Sequence, residues 1–524
     1  MANLMSVFSP RQGLEATSPA IILPTSSPNP FTFSYSQLHS LVLDLQSQLA
    51  SFNLVPGTSV SSSLGNGIEF TLAFLATGAQ RLIAAPLNPN YSQGEVEFYL
   101  QDTKSQLLLL PKGAIAAGHV AVAAANKVVG VEVVEIVFDP SSNGSVSLVR
   151  ADGSKVAKNN EILKPEDEDV ALILHTSGTT GRPKGVPLTH KNLYTTMSNI
   201  IGTYNLIPSD RTYLVMPLFH VHGLLCGLLA TLLSGGSAVI PPKFSATVFW
   251  NELSSNGCNW YTAVPTIHQM LLNSPIPNPV PKLRFIRSCS SALSPSTFHQ
   301  IEKTFNAPVL EAYAMTEAAH QMTSNPLPPA KRKPGTVGIG HGVEIKILDD
   351  AGNEVAQGTI GEVCVRGANV TKGYLNNPKA NEESFVKTQG NQGFFRTGDQ
   401  GRKDADGYVE LVGRIKELIN RSGEKISPLE VDAALLAVEG VKEAVSFAMP
   451  DKLYGEKVGA VVILHKEKQS LSEKQIQSAM QGKLTKFKIP ERIWITDVIP
   501  KTATGKIQRK NVAATFLRKD GAKL

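Results

Sequence analysis

The stretch His175-Thr176-Ser177-Gly178-Thr179-Thr180-Gly181-Arg182-Pro183-Lys184-Gly185-Val186-Pro187-Leu188-Thr189-His190 follows directly on the apolar run Ala171-Leu172-Ile173-Leu174. A short buried strand that breaks into a loop of glycine and hydroxyl residues turns backbone amides toward an anion. Gly178, Gly181 and Gly185 allow close backbone approach. The hydroxyls of Thr176, Ser177, Thr179 and Thr180 can donate to phosphate oxygens, and Lys184 adds a fixed cation. The composition suits a triphosphate. It is not the G-x-x-x-x-G-K-[ST] loop, because Lys184 follows Pro183 and Gly505-Lys506 is followed by Ile507.

Outward from this loop the chain alternates helical and strand patterns. Ser34 to Phe52 repeats apolar residues at helical spacing, and residues 106–110, 131–138, 171–176, 237–242, 283–289 and 308–315 read as short buried strands. Such alternation predicts a layered α/β fold. After Pro334 come VEIKILDD, GEVCVRG and GYVELVG, short strands with turn signals that predict an antiparallel, barrel-like subdomain. The charged, glycine-bounded segment Gly413–Lys425 marks the principal domain boundary, and about 100 residues of αβ character follow it. Residues 1 to about 32, rich in Ser, Pro and Thr, read as a loose lead-in.

The 524 residues are 42% hydrophobic and 18% charged, with glycine and proline spread throughout. That composition excludes a coiled coil, a collagen-like chain and a mainly disordered one. Four cysteines, Cys226, Cys258, Cys289 and Cys364, form no C-x-x-C pair, so buried reduced thiols are expected rather than disulfides or a zinc site. The N-terminus lacks a basic flank followed by an apolar core and does not read as a secretory signal. Residues 212–242 carry no charge, yet His220, His222, Pro217 and the Gly235-Gly236 break interrupt them, and a span needs about 20 continuous apolar residues. No membrane span is expected. The net charge of +6 falls wholly in residues 417–524, where 19 Lys and Arg face 13 Asp and Glu. Such a surplus fits a polyanionic partner.

Six segments give a more specific signal: TSGTTGRPKG, PLFHVHG (217–223), YAMTE (313–317), RTGD (396–399), GRIKELINRSGEKISPLEVD (413–432) and PKTATGKIQR (500–509). Their order resembles that of the acyl-adenylate-forming enzymes over about residues 34 to 515. Within that family the segments PLFHVHGLL, WYTAVPTIHQ, LRFIRSCSSAL and EAYAMTEAAHQM are most similar to the oxalate–CoA ligase branch, beside the 4-coumarate–CoA ligases.

The resemblance implies a large N-terminal domain of layered αβ subdomains plus the barrel-like one over 1–413, a hinge at 414–416, and a small mobile α+β domain over 417–524. It implies ATP, Mg²⁺ and CoA as reactants or cofactors, and a small carboxylic acid as the group activated. Residues 176–181 with Lys184 would hold the β- and γ-phosphates, Thr316 the α-phosphate, and Glu317 the Mg²⁺. Ser291, Glu311 and Ala312 would help bind ATP or AMP, Tyr313 would lie against the adenine, and Asp399, supported by Arg414, would accept hydrogen bonds from the ribose hydroxyls. Lys506 would bridge substrate carboxylate and α-phosphate. Lys416 falls at the hinge, and Asn420, Gly423 and Lys425 would face the thioester-forming site.

The acyl pocket of the family draws on segments that here supply His220, His222, Arg287, Ser290, Ser291, His320 and Gln321. An apolar tail would leave such groups unpaired at roughly 1 to 3 kcal/mol each, so a short dicarboxylate, oxalate first, is expected. His220, Ser290 and His320 are assigned to the second carboxylate. Arg287 adds charge or lies beneath the site, and His222 is read as structural. Mg²⁺ prefers oxygen ligands, so the histidines are not read as a metal set.

Other readings are an aromatic (4-coumarate-like) or medium-chain acyl-CoA synthetase, which the pocket polarity opposes, and an adenylating enzyme that loads a carrier protein, for which no carrier domain follows Leu524. The non-enzyme reading is a basic RNA-binding protein. No RNA-recognition signature is present, and CoA phosphates explain the basic surplus equally well. Ala522-Lys523-Leu524 is a conservative variant of the S-K-L address and predicts import into peroxisomes through their import receptor, with the cytosol as the alternative.

Overall fold

A computed structural model describes residues 2–141, 144–176, 183–465, 467, 470–501 and 507–519. The predicted residues Ser177, Gly178, Thr179, Thr180, Gly181, Lys506 and Ala522-Lys523-Leu524 lie outside the described residues.

The apolar run before the glycine-rich loop belongs to strand Val170–Thr176, in a seven-stranded sheet ordered Ser145–Arg150, Glu132–Asp139, Leu107–Pro111, Ser59–Ser62, Ile83–Pro86, Val170–Thr176, Lys184–Thr189. The five central strands run parallel and one antiparallel strand closes each edge. Strands Leu107–Pro111, Ile83–Pro86 and Val170–Thr176 are covered on both faces, which is why they read as continuous apolar runs rather than alternating ones.

A second sheet of nine strands is ordered Ile339–Gly340, His320–Ser324, Val309–Met315, Phe285–Ser288, Trp260–Ala263, Arg211–Tyr213, Ser237–Val239, Pro19–Leu23, Phe31–Ser34. The six strands from Val309–Met315 to Pro19–Leu23 are mutually parallel. The expected loose lead-in is corrected here: Pro19–Leu23 pairs in parallel with Ser237–Val239, and its apolar residues are buried. Leu4 and Val7 are fully buried, and the Leu4 amide donates to His190 Nδ1 at 3.2 Å. The few apolar residues among the Ser and Pro find partners far along the chain, which local composition does not reveal.

Helix Tyr35–Ala50 starts from a capping box between Ser34 and Gln37. Its buried Leu38, Leu41, Val42, Leu45 and Leu49 form one face, and it packs on helix Ile68–Ala79, which is buried almost all round.

The subdomain expected after Pro334 is a four-stranded antiparallel sheet, Glu344–Leu348, Gly361–Arg366, Phe395–Lys403, Val409–Arg414, paired in chain order. Ile345, Ile347, Val363, Val365, Phe395 and Val409 join the main core. A short turn, Ile415–Glu417, follows Arg414 and leads to a last sheet of five strands. In its central strand, Gly455–Leu464, alternation sends Val458, Ala460 and Val462 to one core, while Val461 joins Val512 and Phe516 of helix Arg509–Lys519 in another.

All four cysteines are free and buried. Among the described residues no helix is long and apolar enough to cross a membrane.

Candidate active site

The base of the glycine-rich loop is held in register, with Thr176 opposite Lys184 across the antiparallel pair. His175, one residue before, has Nε2 at 2.9 Å from Asp102 Oδ2 and packs its ring 4.6 Å from that of Tyr99. The loop therefore leaves the sheet from a pinned residue.

Lys184 places its ammonium 4.1 Å from the ring centroid of Tyr374, a cation–π contact. The Tyr374 hydroxyl donates to Glu317 Oε1 at 2.8 Å. A single side chain thus connects the loop lysine to the carboxylate expected to meet Mg²⁺. The Glu317 carbonyl accepts the Thr371 amide at 2.7 Å, and Leu375 N donates to Gly185 O at 2.8 Å. Thr316 opens the turn Thr316–Ala318, and Ala319 (φ 47°) and His320 (φ 103°) reverse the chain into the next strand. A positive φ at a histidine is uncommon and marks a constrained position.

Asp399 and Arg414 face each other across neighbouring strands, with Arg414 Nε 3.1 Å from Asp399 Oδ1. The Tyr313 hydroxyl donates to the other carboxylate oxygen. Burial, then the Asp399 charge, pushes the Tyr313 phenol well above its usual value, so it stays a donor. Asp399 is 6% exposed, which leaves its carboxylate held by these two partners at the floor of the site. Ala312 is buried in the same strand as Tyr313, whereas Ser291 is exposed, its hydroxyl donating to the Ser290 carbonyl.

The residues expected to meet the acid are drawn from three elements. His222 begins a stretch of π-helix, His222–Leu229, capped by an Ala230 amide that reaches five residues back to Leu225 O. Gly223 is required there, since a Cβ would lie 2.3 Å from the Pro217 carbonyl oxygen. Arg287, on strand Phe285–Ser288, is 0% exposed. It donates through Nε to Tyr204 Oη at 2.7 Å, through Nη1 to Thr262 Oγ1 at 3.2 Å and through Nη2 to Gln321 Oε1 at 3.3 Å. Among the described residues no carboxylate pairs with it.

His222 lies against this guanidinium, 3.4 Å from Nη1, and stacks on His320 with centroids 5.1 Å apart. Burial first, then Arg287, drives both imidazoles well below their usual pKa, so both are neutral. Ser290 Oγ is 3.1 Å from His222 Nδ1, and His320 Nε2 is buried without a hydrogen-bond partner among the described residues. His220 is half-buried and accepts the His222 amide at 3.2 Å. Arg287, Ser290 and His320 thus converge, His220 adjoins them, and His222 lies at the centre of the cluster.

The residues placed at the hinge and CoA step lie elsewhere. Lys416 is exposed on the Ile415–Glu417 turn. Asn420, Gly423 and Lys425 are exposed on the hairpin Ile419–Ile426, where Asn420 Oδ1 accepts the Gly423 amide at 3.1 Å.

The chain matches the model of the AMP-binding enzyme over residues 16–375 and that of the AMP-binding enzyme C-terminal domain over 430–506. The chain belongs to the AMP-binding enzyme family. It is 49% identical to an oxalate–CoA ligase of Saccharomyces cerevisiae over 476 residues, covering 88% of this chain and 87% of that one. It is 48% identical to an oxalate–CoA ligase of Arabidopsis thaliana over 496 residues, covering 93% and 94%. Its fold matches ATP-bound MatB from Rhodopseudomonas palustris with a TM-score of 0.87 at 29% identity, covering all of both chains.

Among the described residues no three His, Cys, Asp or Glu side chains converge on a metal position. Glu317 offers one buried carboxylate, the donor set Mg²⁺ takes when phosphate and water oxygens supply the rest.

Glu311, in the strand that carries Tyr313, is 5% exposed, and its Oε2 accepts the Gly335 amide at 3.1 Å. Burial pushes its carboxyl up to about 8 from an ordinary 4.5. The folded protein then keeps a proton that the unfolded chain loses. Its stabilising contribution is complete below pH 4.5 and is lost as pH rises toward 8, at up to ~1.4 kcal/mol per pH unit. Glu311→Gln keeps the acceptor and removes the titration. Melting curves between about pH 5 and 8 should therefore fall less steeply for the variant than for the parent; equal slopes would mean that Glu311 is ionised at neutral pH.

Sequence reasoning missed Tyr374, which lies 57 residues from Glu317 and in a turn-rich stretch with no periodicity. It also missed Asp102 and the central place of His222. The only available signal was His222 itself, a polar residue inside the uncharged run 212–242.

Proposed function

We propose that the protein is an ATP-dependent acid–CoA ligase whose acid is oxalate. The observation that carries the choice of acid is the fully buried Arg287 guanidinium with no carboxylate partner among the described residues, set behind Ser290 and two neutral histidines. A buried cation without a counter-charge is costly, and an anion bound beside it recovers that cost. A one-carboxylate acid leaves the cation unmet once its single carboxylate is turned to the α-phosphate; a two-carbon dicarboxylate answers both ends. The likeness to oxalate–CoA ligases along most of the chain supports the same reading.

In this reading an oxygen of the first carboxylate attacks the α-phosphorus of ATP and pyrophosphate leaves. The CoA sulfur then attacks the acyl carbon, the bond to AMP breaks, and the thiol proton passes to solvent. Asp399 orients the ribose, Thr316 and Lys506 meet the α-phosphate, and Lys184 with residues 176–181 meets the β- and γ-phosphates. Glu317 is the residue to hold Mg²⁺, which when bound would neutralise phosphate charge. His220, Ser290 and His320 meet the second carboxylate, with Arg287 behind them. Between the steps, residues 417–524 turn about 414–416 relative to 1–413, with Lys416 at the hinge and Asn420, Gly423 and Lys425 brought to the acyl group.

Pyrophosphate release with Mg-ATP and CoA across oxalate, malonate, acetate, 4-coumarate and octanoate tests the assignment. Oxalate should lead, with malonate, one methylene longer, lower by about 10- to 200-fold in kcat/KM. Preference for 4-coumarate or octanoate would keep the two half-reactions and refute the acid.

A further inference from the structure

We infer that Arg287 and His222 are positioning residues that fix Ser290 as a hydrogen-bond donor to the second carboxylate of the acid. The inference rests on the acid–CoA ligase reading for its ligand, but not for its proton arrangement.

His222 is 0% exposed and both of its ring nitrogens have neighbours. Nε2 lies 2.6 Å from Thr262 Oγ1 and 3.4 Å from Arg287 Nη1, and Nδ1 lies 3.1 Å from Ser290 Oγ. Thr262 Oγ1 already accepts Arg287 Nη1 at 3.2 Å, which leaves its own proton to donate to Nε2, and the guanidinium beside them has five N–H donors and no acceptor, so a proton on Nε2 would face two donors. The lone pair therefore belongs on Nε2 and the proton on Nδ1, because the partner of one ring nitrogen sets the state of the other. Nδ1–H then donates to Ser290, and the hydroxyl proton of Ser290 is left for the pocket. In the opposite tautomer Ser290 would spend that proton on Nδ1 and offer an anion only a lone pair.

The rest of the cluster holds this state. Arg287 is tied down by three neutral acceptors, so its charge is undiminished. Tyr204, one of them, also bonds Gln321 Oε1 at 3.0 Å, and Gln321 Nε2 donates to Thr203 at 2.8 Å, so the acceptors are themselves fixed. A second positive charge on His222, in contact with the guanidinium, is disfavoured, so the imidazole stays neutral. Ser290 takes a left-handed backbone, φ 73°, a cost accepted where Oγ meets His222. His320 Nε2, buried beside this ring and without a partner among the described residues, is the second group that an incoming carboxylate would satisfy. An acid with a methyl group in place of that carboxylate leaves both unmet.

The test is the tautomer itself, read by ¹⁵N NMR of the full chain labelled at histidine, with the His222 signal identified by its absence in whichever of H222N and H222Q folds. The parent should show the Nδ1–H form without substrate between about pH 6 and 8; an Nε2–H or charged ring overturns the proposal. H222N places an amide N–H where Nδ1–H was, and should keep KM for oxalate within about threefold. H222Q and S290A should raise it roughly 10- to 100-fold with kcat little changed. H222Q equal to the parent with H222N impaired would also overturn it. The Nδ1–H form together with no oxalate turnover would refute the function proposed above and support the relay, which would then serve another anion.

Discussion

Asp399→Ala should lower kcat/KM for ATP by roughly 10²- to 10⁴-fold in ATP–pyrophosphate exchange. The carboxylate is 6% exposed, bonded by Tyr313 and paired with Arg414 at 3.1 Å, so it is rigid before any nucleotide arrives. In the nucleotide reading it accepts both ribose hydroxyls, and each such charged hydrogen bond contributes ~1.5 to 3 kcal/mol. Its removal also leaves Arg414 and Tyr313 without their shared partner. The loss should appear in KM for ATP as well as in rate, because positioning is affected along with binding. Asp399→Asn keeps the shape without the charge and should lose less. An unchanged KM for ATP in Asp399→Ala would remove Asp399 from the ribose site.

Lys506→Ala should lower acyl-adenylate formation by ~10² to 10³, the usual consequence of deleting a group that meets developing charge. Thioester formation from supplied acyl-AMP should be nearly normal. The flanking residues are well held: Lys501 and Ile507 pair across the intervening segment, Lys501 Nζ is 2.6 Å from Glu443, and Arg509 Nη2 is 2.6 Å from Asp432. Lys416→Ala should do the reverse, sparing adenylation and slowing the CoA step, because Lys416 lies in the turn Ile415–Glu417, where the proposed function puts the hinge. Loss of both half-reactions in either variant would contradict this division of labour.

What the sequence disclosed follows from what is local. The strands read at 171–176, 283–289 and 308–315 are the observed Val170–Thr176, Phe285–Ser288 and Val309–Met315, because short apolar runs bounded by turn residues are self-announcing. The residues Tyr313, Glu317, Asp399 and Arg414 could be named because their neighbours in the chain form a pattern. Their connections could not. Tyr374 gains its meaning only from Lys184 and Glu317, and Arg287 only from the absence of a carboxylate around it among the described residues. Both are facts of distant packing with no trace in periodicity or spacing. The lead-in was misjudged for the same reason: Pro19–Leu23 is a strand because Ser237–Val239, more than 200 residues later, offers it an edge.

The four buried cysteines have a chemical consequence. Burial pushes the Cys226 thiol up to about 11 and the Cys258 and Cys364 thiols up to about 12. A mixed anhydride of an acid and AMP reacts with any thiolate it meets, and the thiolate, not the thiol, is the nucleophile. A chain that generates such an anhydride beside its own accessible cysteine would label itself. With all four sulfhydryls buried, the incoming CoA carries the reactive sulfur, and the protein can hand on an activated acyl group without becoming its acceptor.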